Sequence, residues 1–224
     1  MEKRKVELRR RSSLKLRFTV LAATVIALAA VVLSYHIIAT TTIGGIRYRT
    51  NLTTLNLSRL QLTDEDIVSL AKMKNLTSLY LEHNAITDLS PIAGLTKLEE
   101  LSLLNNYISD IAPLSGLTNL KDLLLSLNFV QDLTPLSGLT ELEILDLSEN
   151  QITDITPLSG LVNLQWLELE FNKITDLKPL AGHTKLFGLN IWDNPIKDRT
   201  QLDHLDVYIE WENPEAPPAE PEET

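Results

Sequence analysis

The sequence predicts an α/β solenoid with one transmembrane α-helix at its N-terminal end. Equal coils would each give one strand to a parallel sheet and one short 3-10 or helical segment to the convex side. Two observations carry this expectation. Leucines recur with a 22-residue period through the middle of the chain, and one uninterrupted apolar run follows a strongly basic start. Self-similarity at such a period marks a stacked-repeat architecture, in which each unit buries its apolar face only against its neighbours.

Residues 1–17 carry eight Lys or Arg against Glu2 and Glu7, a net of +6 in a chain whose overall charge is −10. The remaining residues therefore hold −16, a balance that disfavours nucleic acid as a partner, because its recognition begins with cationic contacts to phosphate. The run 18–38, FTVLAATVIALAAVVLSYHII, is apolar on all sides. As a helix it would extend about 31 Å at ~1.5 Å per residue, enough for a hydrocarbon core of ~30 Å. The basic flank puts 1–17 on the cytoplasmic side as a head and the rest of the chain across the membrane. A cleaved signal peptide has the same order of features. Against cleavage, Ala27 and Ala29 lie in mid-run and Ile37-Ile38-Ala39 puts a bulky residue where a small one is wanted. A single uncleaved span is the expectation, with 39–51 as linker.

The repeats, expected over 52–211, begin at Leu52, Leu76, Leu98, Leu120, Leu142, Leu164 and Leu186, each opening with L-x-x-L-x-L or a close variant. Positions 4 and 6 fall on one face of a strand and face the core, together with positions 1, 11, 14, 17 and 20. Position 9 is Asn in six units (Asn84, Asn106, Asn128, Asn150, Asn172, Asn194). A carboxamide both donates and accepts, so it can satisfy turn backbone buried between coils. Position 13 is Asp from Asp88 to Asp198, which suits a turn supported by local backbone bonds and leaves calcium as the minor alternative. Pro fills position 16 in five units; Ser90, Thr134 and Thr156 precede it in three, so a hydroxyl cap is expected there. Gly94, Gly116, Gly138, Gly160 and Gly182 are expected to permit the bend back to the next strand.

Both ends depart from the pattern. Leu60 replaces the Asn in the first unit, and Thr63 with Asp66 reads as a capping box for a short helix. In the last unit Arg199 takes an apolar position and Gln201 replaces Pro, while 207–211 reads as a closing strand. The stretch 212–224, ENPEAPPAEPEET, is acidic and Pro-rich, and is expected to be a disordered tail.

The 22-residue period together with ITDLSPIAGLT, ISDIAPLSGLT, VQDLTPLSGLT, ITDITPLSGLV and ITDLKPLAGHT resembles the leucine-rich repeats of bacterial internalin-type proteins. The resemblance covers about 52–202. It implies a leucine-rich-repeat solenoid that binds protein ligands across its strand face, host-cell receptors in some cases. Host invasion is not carried over, because the immunoglobulin-like region and the L-P-x-T-G motif that accompany it are missing from this sequence.

Cysteine is absent, which excludes disulfides, thiolate metal sites, a cysteine nucleophile and a lipidated cysteine. The four histidines are scattered and no glycine-rich phosphate loop occurs, so neither catalysis nor a cofactor is expected. The informative residues are those the repeat does not dictate, at positions 2, 3, 5, 7, 8 and 10. Most are polar, but Tyr80, Leu104, Tyr107, Leu124, Leu127, Phe129, Ile144, Trp166, Phe171, Phe187 and Trp192 are not. Glu100, Asp122, Asp146, Glu149, Glu168 and Glu170 interleave them. Ile144 and Trp166 share a position in adjacent units and are expected side by side, and Leu104, Leu124 and Leu127 are expected as neighbours. Aromatic anchors within a charged rim suit a protein ligand with a basic contact surface. A sugar polymer held by Trp166 and Trp192, a scaffold docking a membrane partner of the same cell, and a secreted binder remain alternatives.

Overall fold

In the computed structural model, which describes residues 39–205 and 207–210, the chain enters through a β-hairpin and then winds coil upon coil. Strands β1 (Thr40–Ile43) and β2 (Ile46–Arg49) pair antiparallel, with Thr40 opposite Arg49 and Ile43 opposite Ile46. Their two-residue turn is Gly44-Gly45, both at positive φ (52° and 77°), the geometry that matches the twist of the flanking strands and that glycine reaches without strain. A Cβ on Gly44 would stand 2.5 Å from Leu62, so the turn lies against the first coil. Ile43 is only 1% exposed and belongs to the core. The stretch 39–51, expected as a linker, thus holds a hairpin whose strand β1 packs on the first convex segment and closes that end of the core.

Eight three-residue strands follow: β3 (Thr54–Asn56), β4 (Ser78–Tyr80), β5 (Glu100–Ser102), β6 (Asp122–Leu124), β7 (Ile144–Asp146), β8 (Trp166–Glu168), β9 (Gly188–Asn190) and β10 (Tyr208–Glu210). They form one parallel sheet in sequence order. The register pairs like with like, as in Leu79, Leu101, Leu123, Leu145 and Leu167 on successive strands. The leucine-rich-repeat solenoid is therefore observed, closing strand included. The head 1–17, the apolar run 18–38 and the tail 212–224 lie outside the described residues. Among the described residues no helix is long and apolar enough to cross a membrane.

The convex side carries α1 (Asp64–Ile67) running into the 3-10 segment Val68–Lys72, then one 3-10 turn per coil from Ser90–Ile92 to Arg199–Leu202. The Asp66 carboxylate accepts from both the N–H and the hydroxyl of Thr63, the acidic half of the expected capping box. Elsewhere the cap is not the hydroxyl before Pro. Asp88, Asp110, Asp132, Asp154, Asp176 and Asp198 each accept the backbone N–H two residues on. A carboxylate is the stronger acceptor and reaches the orphan N–H that opens the turn, so Ala112 and Lys178 serve there as well as Ser or Thr. The glycine column is also not what was expected. Gly94, Gly116, Gly138, Gly160 and Gly182 do not adopt positive φ, and at Gly138, Gly160 and Gly182 an added Cβ would meet open space.

Each position-9 asparagine ties two coils together. Asn128 donates to the carbonyls of Leu103 in the preceding coil and of Leu125 and Ser126 in its own, at 3.0–3.2 Å. Its Oδ1 accepts the N–H of Ile108 at 3.0 Å. The pattern repeats at Asn84, Asn106, Asn150, Asn172 and Asn194. One residue earlier, Arg59, His83, Asn105, Leu127, Glu149, Phe171 and Asp193 are all left-handed, with φ between 51° and 63°. That conformation costs roughly 1–2 kcal/mol in a residue with a side chain. It is held because the position-8 N–H still bonds across the ladder, as Asn105 does to the Ser126 carbonyl at 2.9 Å. The chain ends are matched differently. Asn84 also receives the N–H of Leu60 and Leu62, and Gln201 accepts that of Leu177.

His183 stands in a column otherwise filled by Leu95, Leu117, Leu139 and Leu161, and it is fully buried. Its Nδ1 lies 3.1 Å from the Leu180 carbonyl, and burial holds the imidazole below its ordinary range. Two outcomes follow from this packing. Asn128→Leu orphans the Ile108 N–H inside the stack and leaves the Leu103 and Leu125 carbonyls with one donor each, from Asn106 and Asn150. We expect a loss of about 2–3 kcal/mol in urea denaturation. His183→Leu restores the apolar column and should stabilise by about 1 kcal/mol. Because the unfolded chain takes up the histidine proton first, wild-type stability should fall as pH drops below about 6.5, and the variant should lose that part of the slope.

Candidate binding face

Each strand turns its middle leucine inward, so positions 3 and 5 face outward, followed by 7 where the ladder continues. In-register pairing arranges these outward residues as rows across the sheet, neighbours about 4.8 Å apart. The position-3 row runs Ser78, Glu100, Asp122, Ile144, Trp166, Gly188, and the position-5 row Tyr80, Ser102, Leu124, Asp146, Glu168, Asn190.

On and beside these rows, the exposed and half-buried apolar residues sort into three groups. Tyr80, Leu124 and Ile144 line a cleft of about 290 Å³ together with Glu100, Leu101, Ser102 and Asp122. Towards the C-terminal end, Trp166 meets Phe187 edge-on at 5.7 Å, and Phe171 meets Trp192 edge-on at 4.3 Å. The third group is Tyr107 and Phe129, stacked at 6.2 Å beyond the asparagine turn. Aromatic pairs of this kind add about 0.5–1.5 kcal/mol beyond their burial. Phe187 and Tyr107 nevertheless stay 55% and 57% exposed.

Ile144 and Trp166 are register partners, as expected, and the indole reaches the next strand. It lies over Gly188, where an added Cβ would come within 2.3–2.9 Å of three ring atoms. Leu124 joins the cleft wall, whereas Leu104 and Leu127 are outside its lining. The sequence reading also passed over Ser102 and Gly188, small residues whose effect is to make room. Their only signal was size: each stands in a row beside bulky neighbours.

Carboxylates occupy the centre of the face. Asp146 accepts the hydroxyls of Ser126 and Ser148, both at 2.6 Å. Glu168 accepts the indole N–H of Trp166, which fixes the ring, while its other oxygen and one oxygen of Glu170 are buried without a partner. Burial, with the negative charge of Glu168 and Asp146 nearby, pushes the Glu170 carboxyl up to about 7. Tyr80 donates to Glu100, which raises the phenol above its ordinary range. Among the described residues no three His, Cys, Asp or Glu side chains converge as a metal site.

A family model described as leucine-rich repeats in two copies matches residues 50–94, 74–116 and 118–160. Among solved structures, the chain is similar to an internalin C2 of Listeria monocytogenes, with 34% identity and a TM-score of 0.59 over 70% of this chain and 80% of that one. It is also similar to a second internalin (inlF) of that organism, at 34% identity and a TM-score of 0.51 over 73% of this chain and 61% of the other. A leucine-rich-repeat protein of Leptospira interrogans aligns at 30% identity with a TM-score of 0.65, over 72% of this chain and 43% of that one. Comparison with curated protein sequences gives no match.

The raised Glu170 carboxyl has a signed consequence. The folded chain binds this proton more tightly than the unfolded chain, so stability should fall as pH rises from about 4.5 to about 7. Glu170→Gln should flatten that fall, and carboxyl NMR should place the wild-type midpoint nearer 7 than 4.5.

Proposed function

The chain belongs to the bacterial internalin-type leucine-rich-repeat proteins, and on that premise we propose that it is a binding scaffold, not an enzyme, which holds a protein ligand across its strand face. The observation that carries this reading is the alignment by register of aromatic pairs and carboxylates on one face of the sheet. Large rigid side chains with part of their surface exposed are the usual anchors of protein interfaces. The interleaved carboxylates Asp122, Asp146, Glu168 and Glu170 favour a ligand whose contact surface is basic. The contact residues on this reading are Tyr80, Leu104, Tyr107, Leu124, Leu127, Phe129, Ile144, Trp166, Glu168, Glu170, Phe171 and Trp192.

The proposal extends to placement. The apolar run 18–38 would span the cell membrane once, with 1–17 in the cytoplasm and the repeats presented outside, on the surface. Length, uniform apolarity and the +6 flank of the sequence support this.

Because the chain lacks cysteine, a single exposed thiol can report topology. Val162→Cys should react with a membrane-impermeant maleimide on intact cells; reaction only after lysis would rule out the outside placement. A photo-crosslinking residue at Phe187 should give a discrete protein adduct. Trp166→Ala combined with Trp192→Ala should weaken capture about thirtyfold or more, the scale of losing about 2 kcal/mol of anchor contacts. Undiminished capture would sink the aromatic face as the binding surface.

A further inference from the structure

The cleft between Tyr80 and Ile144 is a built pocket with an unusual chemical balance. Ser102 forms its floor, a small residue between Tyr80 and Leu124 in the same row. Leu124 and Ile144 make apolar walls, and Glu100 and Asp122 are register partners along one side. Ser102 is 2% exposed, yet its hydroxyl has no hydrogen-bond partner among the described residues. Asp122 is half-buried and likewise accepts no hydrogen bond there. The neighbouring cation, Lys121, is engaged by Glu99 at 2.8 Å, outside the lining.

We infer that this cleft receives one lysine or arginine side chain of the protein partner, its methylene stem along Leu124 and Ile144 and its cationic head against Asp122 and Glu100, above the Ser102 hydroxyl. The inference deepens the protein-binding reading and rests on it. An uncharged apolar occupant would strip water from Asp122 without giving it a partner, and an anion would be repelled. A long cationic side chain meets both demands, apolar along its stem and charged at its tip. Burial and the adjacent Glu100 push the Asp122 carboxyl above its ordinary range, so a bound cation has an unfavourable charge to neutralise. The pocket opens on the strand face that carries Trp166, one strand beyond Ile144. A protein segment can therefore fill the pocket and touch the aromatic pairs at once, which a free amine cannot.

The test uses the full chain in detergent micelles, methyl-labelled at Leu and Ile, with Nα-acetyl-lysine N-methylamide as probe and its norleucine counterpart as the uncharged control. The lysine probe should shift the Leu124 and Ile144 methyls saturably, and lower the Asp122 midpoint. The norleucine probe should bind at least tenfold more weakly. Asp122→Asn should weaken lysine binding about tenfold. Ser102→Leu, a residue the same row already accommodates at Leu124, should abolish it. Ser102→Ala should leave stability unchanged and weaken binding about threefold, an effect that a merely structural serine would not produce. Equal binding of norleucine, shifts spread equally to the methyls flanking Asp146 and Glu168, or unchanged binding in Ser102→Leu would overturn the pocket. The two readings separate in the crosslinking experiment. Full capture by Ser102→Leu overturns the pocket alone, while the absence of any adduct from the wild-type chain overturns protein binding, and the pocket as a partner subsite with it.

Discussion

A buried carboxamide that must serve two coils at once sets the geometry of this molecule. The position-9 asparagine is enclosed, so its donors and acceptor have to be met inside the stack. They are met by carbonyls of its own and the preceding coil and by an N–H of the preceding coil. Even across the longer first coil, Asn84 still reaches the Leu57 carbonyl and the Leu62 N–H. The same bond network stabilises the left-handed residue before it. Eight side-chain-bearing residues at positive φ, seven of them at position 8, are strain that isolated coils would relieve by unwinding. Stacking, more than helix or strand propensity, therefore determines the backbone.

That rigidity separates the face from the core. With leucines and asparagine accounting for packing and backbone satisfaction, outward positions can vary in size with little effect on register. Variation then acts locally, through contrast between neighbours. Glycine at 188 lets the Trp166 ring lie down across the next strand, where Phe187 and Glu168 fix it. Serine at 102 leaves a cleft between Tyr80 and Leu124. Small residues shape the surface here as much as the large ones that draw attention in the sequence.

The same division explains what the sequence revealed. The period, the core columns and the asparagine were legible because each is a residue type repeated at one position, and stacking acts on such columns. The N-terminal hairpin was missed although Gly44-Gly45 between two β-prone runs is a local turn signal; no repeat stood behind it. The left-handed position 8 was hard to see: His83, Asn105 and Asp193 suit positive φ, but Arg59, Leu127, Glu149 and Phe171 in the same column betray no preference for it. The hydroxyl cap and the bending glycines were wrong for related reasons. The column of aspartates does the capping irrespective of what precedes Pro, and coil-to-coil bonds make the bend without needing glycine's freedom. Exposed apolar residues could be enumerated but not grouped, because grouping depends on ring direction and on the size of the residue one strand away.

The electrostatics of the face bear on what it is for. Asp146 has two hydroxyl donors, but Glu168 and Glu170 each retain a buried carboxyl oxygen without a donor, and Asp122 is half-buried beside Glu100. Two of them, Asp122 and Glu170, hold their protons more tightly than ordinary carboxyls as a result. Unmet charge lowers the stability of the free chain, and sites that break local rules in this way are where function is expected. The deficit sits on both sides of the row: in the cleft at Asp122 on β6, and beside Trp166 on β8, two strands or about 10 Å away. A segment with cationic side chains at that separation would offset both deficits in one docking event and bury the aromatic pairs beside the second. The arrangement favours an extended basic segment lying across the strands over a single small ligand, because only the former spans both charges.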